Sequence, residues 1–125
     1  MHGFPIDCCD DSADLLAHYF FSEFGRCSYR VDGEIYDDTA SMTRGHAWIE
    51  INGMIVDITG DQFKFDEIFL NYDKKVFVGS GDEFHSLFMI MRREISLGIE
   101  SLGEMSHDRM YWLYNTILRY LDSFK

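Results

Sequence analysis

Three residues of this chain have side chains that could act together in nucleophilic chemistry: Cys9, His46 and Asp57. A thiol attacks a carbonyl carbon as its thiolate, so it needs a base to take its proton. A neutral imidazole can be that base. A carboxylate on the ring's other nitrogen then fixes the tautomer and steadies the imidazolium that forms. His46 and Asp57 both lie in the stretch GHAWIEINGMIVDIT, Gly45 to Thr59, where they interrupt two otherwise apolar runs.

That stretch reads as a β-hairpin. Asn52-Gly53 is the dipeptide preferred at the centre of a type I′ turn. Such a turn sets Ile51 opposite Met54, Glu50 opposite Ile55, Ile49 opposite Val56, Trp48 opposite Asp57 and His46 opposite Thr59. Side chains alternate along a strand, so His46, Trp48, Asp57 and Thr59 share one face. Ala47, Ile49, Ile51, Val56 and Ile58 share the other, more apolar face. His46 and Asp57 become diagonal neighbours, with Cβ atoms roughly 7 Å apart. The plainer alternative is a satisfied surface histidine beside a solvated strand acid.

The cysteine belongs to a different element. Leu15, Leu16, Tyr19, Phe20 and Phe24 recur at helical spacing, predicting a helix from Asp11 to Phe24 that stops at Gly25. The preceding IDCCDDS supplies Asp and Ser where helices begin, so Cys8 and Cys9 fall at or just inside the N-terminus. Backbone N–H groups there favour a thiolate and could hold the oxyanion of a tetrahedral intermediate. The bland reading of Cys9 is a cap residue or a small apolar filler. Adjacent cysteines offer no zinc-site spacing with His46, and His2, His85 and His107 show none with carboxylates or thiols. The expectation is therefore no metal and no other cofactor.

Taken together, FPIDCCDDSADLLAHYF, GHAWIEINGMIVDIT and DQF resemble the transglutaminase-like branch of the papain-like cysteine enzymes. The likeness covers Phe4 to Phe63. It implies a nucleophile at Cys9, with Cys8 the less favoured choice, a base at His46 in HAW, and an orienting acid at Asp57 in DIT. Gln62, Trp48 and Cys8 are the candidates for substrate or oxyanion contacts. The implied fold is α+β, with an N-terminal helix bearing the cysteine packed on an antiparallel sheet and helices towards the C-terminus. Two features set this chain apart. Only eight residues precede Cys9, and Asp7, Asp10 and Asp11 crowd it with like charge that opposes thiolate formation.

Bulk properties agree with one domain spanning residues 1–125. A chain of 125 residues with 46% hydrophobic and 16% aromatic content can build one core, and no linker or repeat divides it. The net charge of −11, from 22 acidic and 11 basic residues, argues against nucleic acid or an anionic membrane as partner. No apolar run reaches membrane-spanning length, and the start lacks a secretory pattern. Cys8, Cys9 and Cys27 form an odd set suited to free thiols, so a cytoplasmic setting is expected.

Further elements are predicted more coarsely. Cys27–Tyr36 reads as a strand bent at Asp32-Gly33, DDTASMTRG as a polar loop, and Asp66–Tyr72 as a short helix or loop. KKVFVGSG reads as a strand. Asp82 to Ile95 reads as a helix with Phe84, Leu87, Phe88, Met91 and Ile95 on one side. A last helix runs from about Asp108 to Ser123, with Ser106 as its cap. His18 is expected to pack rather than react.

The chemistry so defined is acyl transfer through a thioester at Cys9. Water as acceptor makes a peptidase or amidase, an amine makes a transglutaminase, and a peptide or protein is the expected substrate. The rival from another class is a non-catalytic binding module or subunit that keeps the fold. A third option is an effector that deamidates glutamine with the same triad. The sequence leaves the oligomeric state open.

Overall fold

The computed structural model describes the backbone of residues 9–63 and 67–123. Its elements, in chain order, are α1 (Cys9–Phe24), β1 (Ser28–Asp37), β2 (Met42–Ile51), β3 (Met54–Asp57), β4 (Phe77–Gly79), α2 (Glu83–Ser86), β5 (Met89–Ser96) and α3 (Glu104–Asp122). The strands form one antiparallel sheet in the order β4-β3-β2-β1-β5. The fold is α+β. No described helix is long and apolar enough to cross a membrane.

The hairpin forms in the expected register, with Ile49 opposite Val56, Glu50 opposite Ile55 and Ile51 opposite Met54. Asn52 and Gly53 both take positive φ, 53° and 77°, the backbone that a type I′ turn requires. Its two faces pack against different layers. Ala47, Ile49 and Val56 meet Ala13 and Ala17 of α1, whose small side chains let helix and sheet approach closely. Asp14 of α1 accepts a 2.7 Å ion-paired hydrogen bond from Arg30 of β1 and ties the helix across the sheet. Trp48 and Ile55 face the other way, into an aromatic core of Phe63, Phe69, Tyr72, Phe84 and Phe88.

Gly33 explains the bend expected at Asp32-Gly33. The β1–β5 pairing slips at this point. A Cβ at Gly33 would stand 2.7 Å from Phe88 Cβ and 3.1 Å from the Trp48 ring. The aromatic layer therefore reaches the sheet only where a side chain is missing. Between β1 and β2 the expected polar loop shrinks to a turn at 38–41, because Met42–Gly45 joins the strand. Asp37 anchors that turn by accepting from the N–H groups of Thr39 and Ala40 and from Arg44.

The largest correction falls on Asp82 to Ile95. The expected long helix is one turn, α2, followed by the edge strand β5. Phe84 and Phe88 are buried as the helical spacing implied, but Met91 and Ile95 are 55% and 61% exposed. Beyond Phe88 the open edge of β1 supplies unpaired backbone groups, and pairing with it overrides a helical pattern. Arg92 reaches Asp32 at 3.2 Å, while Arg93 pairs with Glu50 and lies over the Tyr29 ring.

The segment before β4 holds a 3₁₀ turn at Glu67–Phe69 and a left-handed turn at Leu70 and Asn71. Helix α3 begins at Glu104, earlier than expected, so Ser106 lies within its first turns. His18 packs as expected, but against α3: its ring meets Tyr111 and Tyr114 edge-on, and Nδ1 accepts from the Ile99 N–H.

Filling the gap at Gly33 tests the packing. Gly33→Ala is expected to destabilise the fold by about 1–3 kcal/mol through overpacking. Urea unfolding should show a lower midpoint with an unchanged slope.

Candidate functional site

The DIT turn at the end of β3 builds the site around one carboxylate. Asp57 Oδ1 accepts from the Thr59 N–H at 3.0 Å, which fixes the plane of the carboxylate. Asp57 Oδ2 lies 2.7 Å from His46 Nε2. The strand alternation has thus put His46 and Asp57 on one face, within direct hydrogen-bonding distance. The same oxygen lies 2.7 Å from a second imidazole, Nε2 of His85.

His85 comes from α2, and its other nitrogen is also engaged. Nδ1 lies 2.6 Å from Oδ1 of Asp82, the residue that caps α2. Asp82 Oδ1 accepts from the His85 backbone N–H at 2.8 Å as well, and its Oδ2 accepts from the Tyr72 hydroxyl at 2.9 Å. A continuous polar chain therefore runs Tyr72–Asp82–His85–Asp57–His46. The side chains at its His46 end are nearly sealed from solvent, with exposures of 0% for His46 and 2% each for Asp57 and His85. Rings of Trp48, Phe63, Phe84 and Phe88 surround His46.

Burial and charge oppose one another in this cluster. Burial alone would push the Asp57 carboxyl up. Hydrogen bonds from His46 and His85 outweigh it and hold the group well below the usual carboxylate range. Asp82 is also lowered, since bonds from His85 and Tyr72 overcome its desolvation. Burial would strip His85 of charge, but the bonds and charges of Asp57 and Asp82 prevail and raise it. Tyr72 is raised by burial and by Asp82, which keeps its hydroxyl protonated as a donor.

Among the described residues His46, Asp57 and His85 are the one group whose ligand atoms gather within 4.8 Å. Donors around a tetrahedral zinc ion, with bonds of about 2.0–2.1 Å, stand roughly 3.3 Å apart. Both nitrogens here lie 2.7 Å from the same oxygen. That spacing suits shared protons better than an ion.

The remaining candidates are distributed as follows. Cys9 opens α1, but its side chain and that of Gln62, in the 3₁₀ turn Gly60–Phe63, lie outside what is described, as does Cys8 altogether. A cavity of about 10 Å³ lies between Ser12, Ala13 and Leu16 of α1 and Trp48, Asp57 and Thr59. The first turns of the cysteine helix thus run beside the Asp57 end of the hairpin. Trp48 is 2% exposed, and its buried indole N–H has no acceptor among the described residues. Asp11, expected to repel a thiolate, accepts from both terminal guanidinium nitrogens of Arg109 at 3.1 and 3.2 Å.

His85, Asp82 and Tyr72 are the members that the sequence reading missed. For His85 the sequence predicts only a lack of metal-site spacing with carboxylates or thiols, and the ring meets two carboxylates. One local signal existed: Asp82 precedes His85 by three residues, the separation at which a cap meets a backbone N–H. The bond to Asp57 is tertiary and leaves no local trace.

No family model matches this chain, and neither curated proteins nor solved structures gave a significant match.

The shifts set a pH window for stability. Asp57 and Asp82 have lowered values, so their contribution is present above the ordinary 3.8 and lost as pH falls through their folded values. His85 has a raised value, so its contribution is complete below the ordinary 6.5 and lost as pH rises through its folded value. Urea midpoints measured against pH should therefore peak between these limits. His85→Asn should lower the peak and flatten the alkaline decline.

Proposed function

We propose that this chain is a cysteine-dependent acyl transferase or amidase of transglutaminase-like, papain-like type, acting on a peptide or side-chain amide through a thioester at Cys9. The observation that carries the reading is the 2.7 Å contact of His46 Nε2 with Asp57 Oδ2 on one face of the hairpin. With Nε2 turned to the carboxylate, Nδ1 is the ring nitrogen for a thiol proton. The second support is that Ser12, in the first turn of the helix that Cys9 opens, lines a small cavity with Asp57 and Thr59.

In this reaction His46 Nδ1 takes the thiol proton, and sulfur bonds to the amide carbonyl carbon. Backbone N–H groups at the start of α1 stabilise the oxyanion. The tetrahedral intermediate collapses with rupture of the C–N bond, and His46 returns the proton to the leaving amine. Water or an amine then attacks the thioester and gives its proton to His46. The C–S bond breaks, releasing an acid or a new amide together with the thiolate. A reducing cytoplasmic setting would keep the thiol available.

A second reading is a non-catalytic module that keeps this fold. It is favoured by the burial of the His46, Asp57 and His85 side chains, which exposes almost no polar surface of the cluster.

Iodoacetamide labelling across pH, resolved by peptide mass mapping, separates the two. The enzyme reading expects Cys9 to react well below pH 8.5 and faster than exposed Cys27. His46→Ala should slow Cys9 about 10²-fold or more. Equal, slow labelling of all three cysteines would leave the binding module as the better account.

A further inference from the structure

We propose that His85 is a positioning residue for the candidate site: clamped between Asp82 and Asp57, it holds Asp57 as the anion that orients His46. The proposal rests on the acyl-transfer reading of Cys9, His46 and Asp57.

The argument is one of donors and acceptors. An ionised carboxylate only accepts hydrogen bonds. Asp57 Oδ2 faces two ring nitrogens at 2.7 Å, so each of those nitrogens must carry hydrogen. Asp82 Oδ1 faces His85 Nδ1 at 2.6 Å, so that nitrogen carries hydrogen too. His85 is then doubly protonated, a buried imidazolium between two buried or half-buried carboxylates. The same accounting puts hydrogen on His46 Nε2; in a neutral ring the lone pair then belongs to Nδ1, the tautomer that can accept a thiol proton.

Remove the charge from His85 and the accounting fails. A neutral ring can donate to Asp57 or to Asp82, but not to both, and one carboxylate would face a lone pair. Asp57 would then gain from binding a proton itself. A protonated Asp57 can donate to His46 Nε2, which selects the opposite tautomer and moves the His46 hydrogen to Nδ1.

The surroundings of His85 are built for this state. Among the described residues, the titratable and charged groups facing it are Asp57 from β3, Asp82 from its own helix cap, His46 from β2 at 6.2 Å between ring centroids, and Tyr72 at 6.0 Å. The two aspartates hold their negative charge against His85 from both sides of the ring. Asp82 is itself fixed by the Tyr72 hydroxyl and the His85 N–H. The raised value of His85 agrees with this geometry.

Two measurements on the full chain test the proposal. Nitrogen-15 NMR of the histidine rings at pH 7.5 should find both His85 nitrogens protonated. In Asp82→Asn, which keeps the shape and removes the charge, the ring should lose one proton at that pH. Cys9 alkylation should slow by about tenfold in Asp82→Asn, equivalent to one pKa unit of thiol ionisation. The rising limb of its pH profile, which marks thiol ionisation, should move to higher pH by about one unit, which loss of packing alone would not produce.

A singly protonated His85 in the unmutated chain overturns the proposal, whether or not the variant folds. So does an Asp82→Asn variant whose Cys9 profile matches the parent while His46→Ala remains slow; the acyl-transfer reading then stands without the clamp. A Cys9 no faster than Cys27, and indifferent to His46→Ala, overturns both.

Discussion

A carboxylate removed from water must be hydrogen-bonded on nearly every side, and this molecule is arranged around one such group. Leaving a buried charge unpaired costs several kcal/mol, a large share of the stability of a small domain. Asp57 avoids that cost through bonds from three separate places: the Thr59 N–H in its own turn, His46 across the hairpin and His85 from a distant helix. Each donor depends on another part of the fold. The hairpin register brings in His46, the turn after β3 brings in Thr59, and the aromatic layer carries α2 and with it His85.

The sheet serves two layers that answer different demands. On one face, alanines of α1 settle on Ala47, Ile49 and Val56, an apolar contact with little polar content. On the other, aromatic rings enclose the polar chain. Those rings give low-dielectric walls, which strengthen every charge-assisted bond inside and raise the cost of any bond left unmade. The layer comes close enough to seal the cluster because Gly33 gives way to Phe88 and Trp48. Small residues on one face and a missing side chain on the other thus set how far the sheet stands from each neighbour.

Local chemistry made part of this arrangement legible in the sequence. Asn52-Gly53 sets the hairpin register, and the register puts His46 and Asp57 on one face without any tertiary information. The α1 stripe and its stop at Gly25 were equally local. What escaped was decided by pairing across long stretches of chain. Met89 to Ser96 fits a helical template in Met91 and Ile95, but the open edge of β1 claims it as a strand. His85 looked isolated because its partner Asp57 lies 28 residues earlier in the chain, and nothing near it announces that contact. The pairing of Asp11 with Arg109, 98 residues away, is the same kind of fact. It also sets a positive charge against one of the carboxylates that weigh against a thiolate at the start of α1.

A stability argument alone does not account for the polar chain. Replacing a buried ionic cluster by well-packed apolar residues is often neutral or stabilising, so such a cluster is weak grounds for stability by itself. A core already holding Phe63, Phe69, Phe84 and Phe88 has ready apolar material for the positions of His46, Asp57 and His85. A structural histidine needs one good partner. Here one carboxylate oxygen meets two imidazoles, one imidazole meets two carboxylates, and the second carboxylate is held by a tyrosine. That redundancy constrains where protons can reside as well as satisfying buried groups. Under the proposed acyl transfer, such a constraint matters most at His46, at the end of the chain of bonds, because there it would give and take a proton.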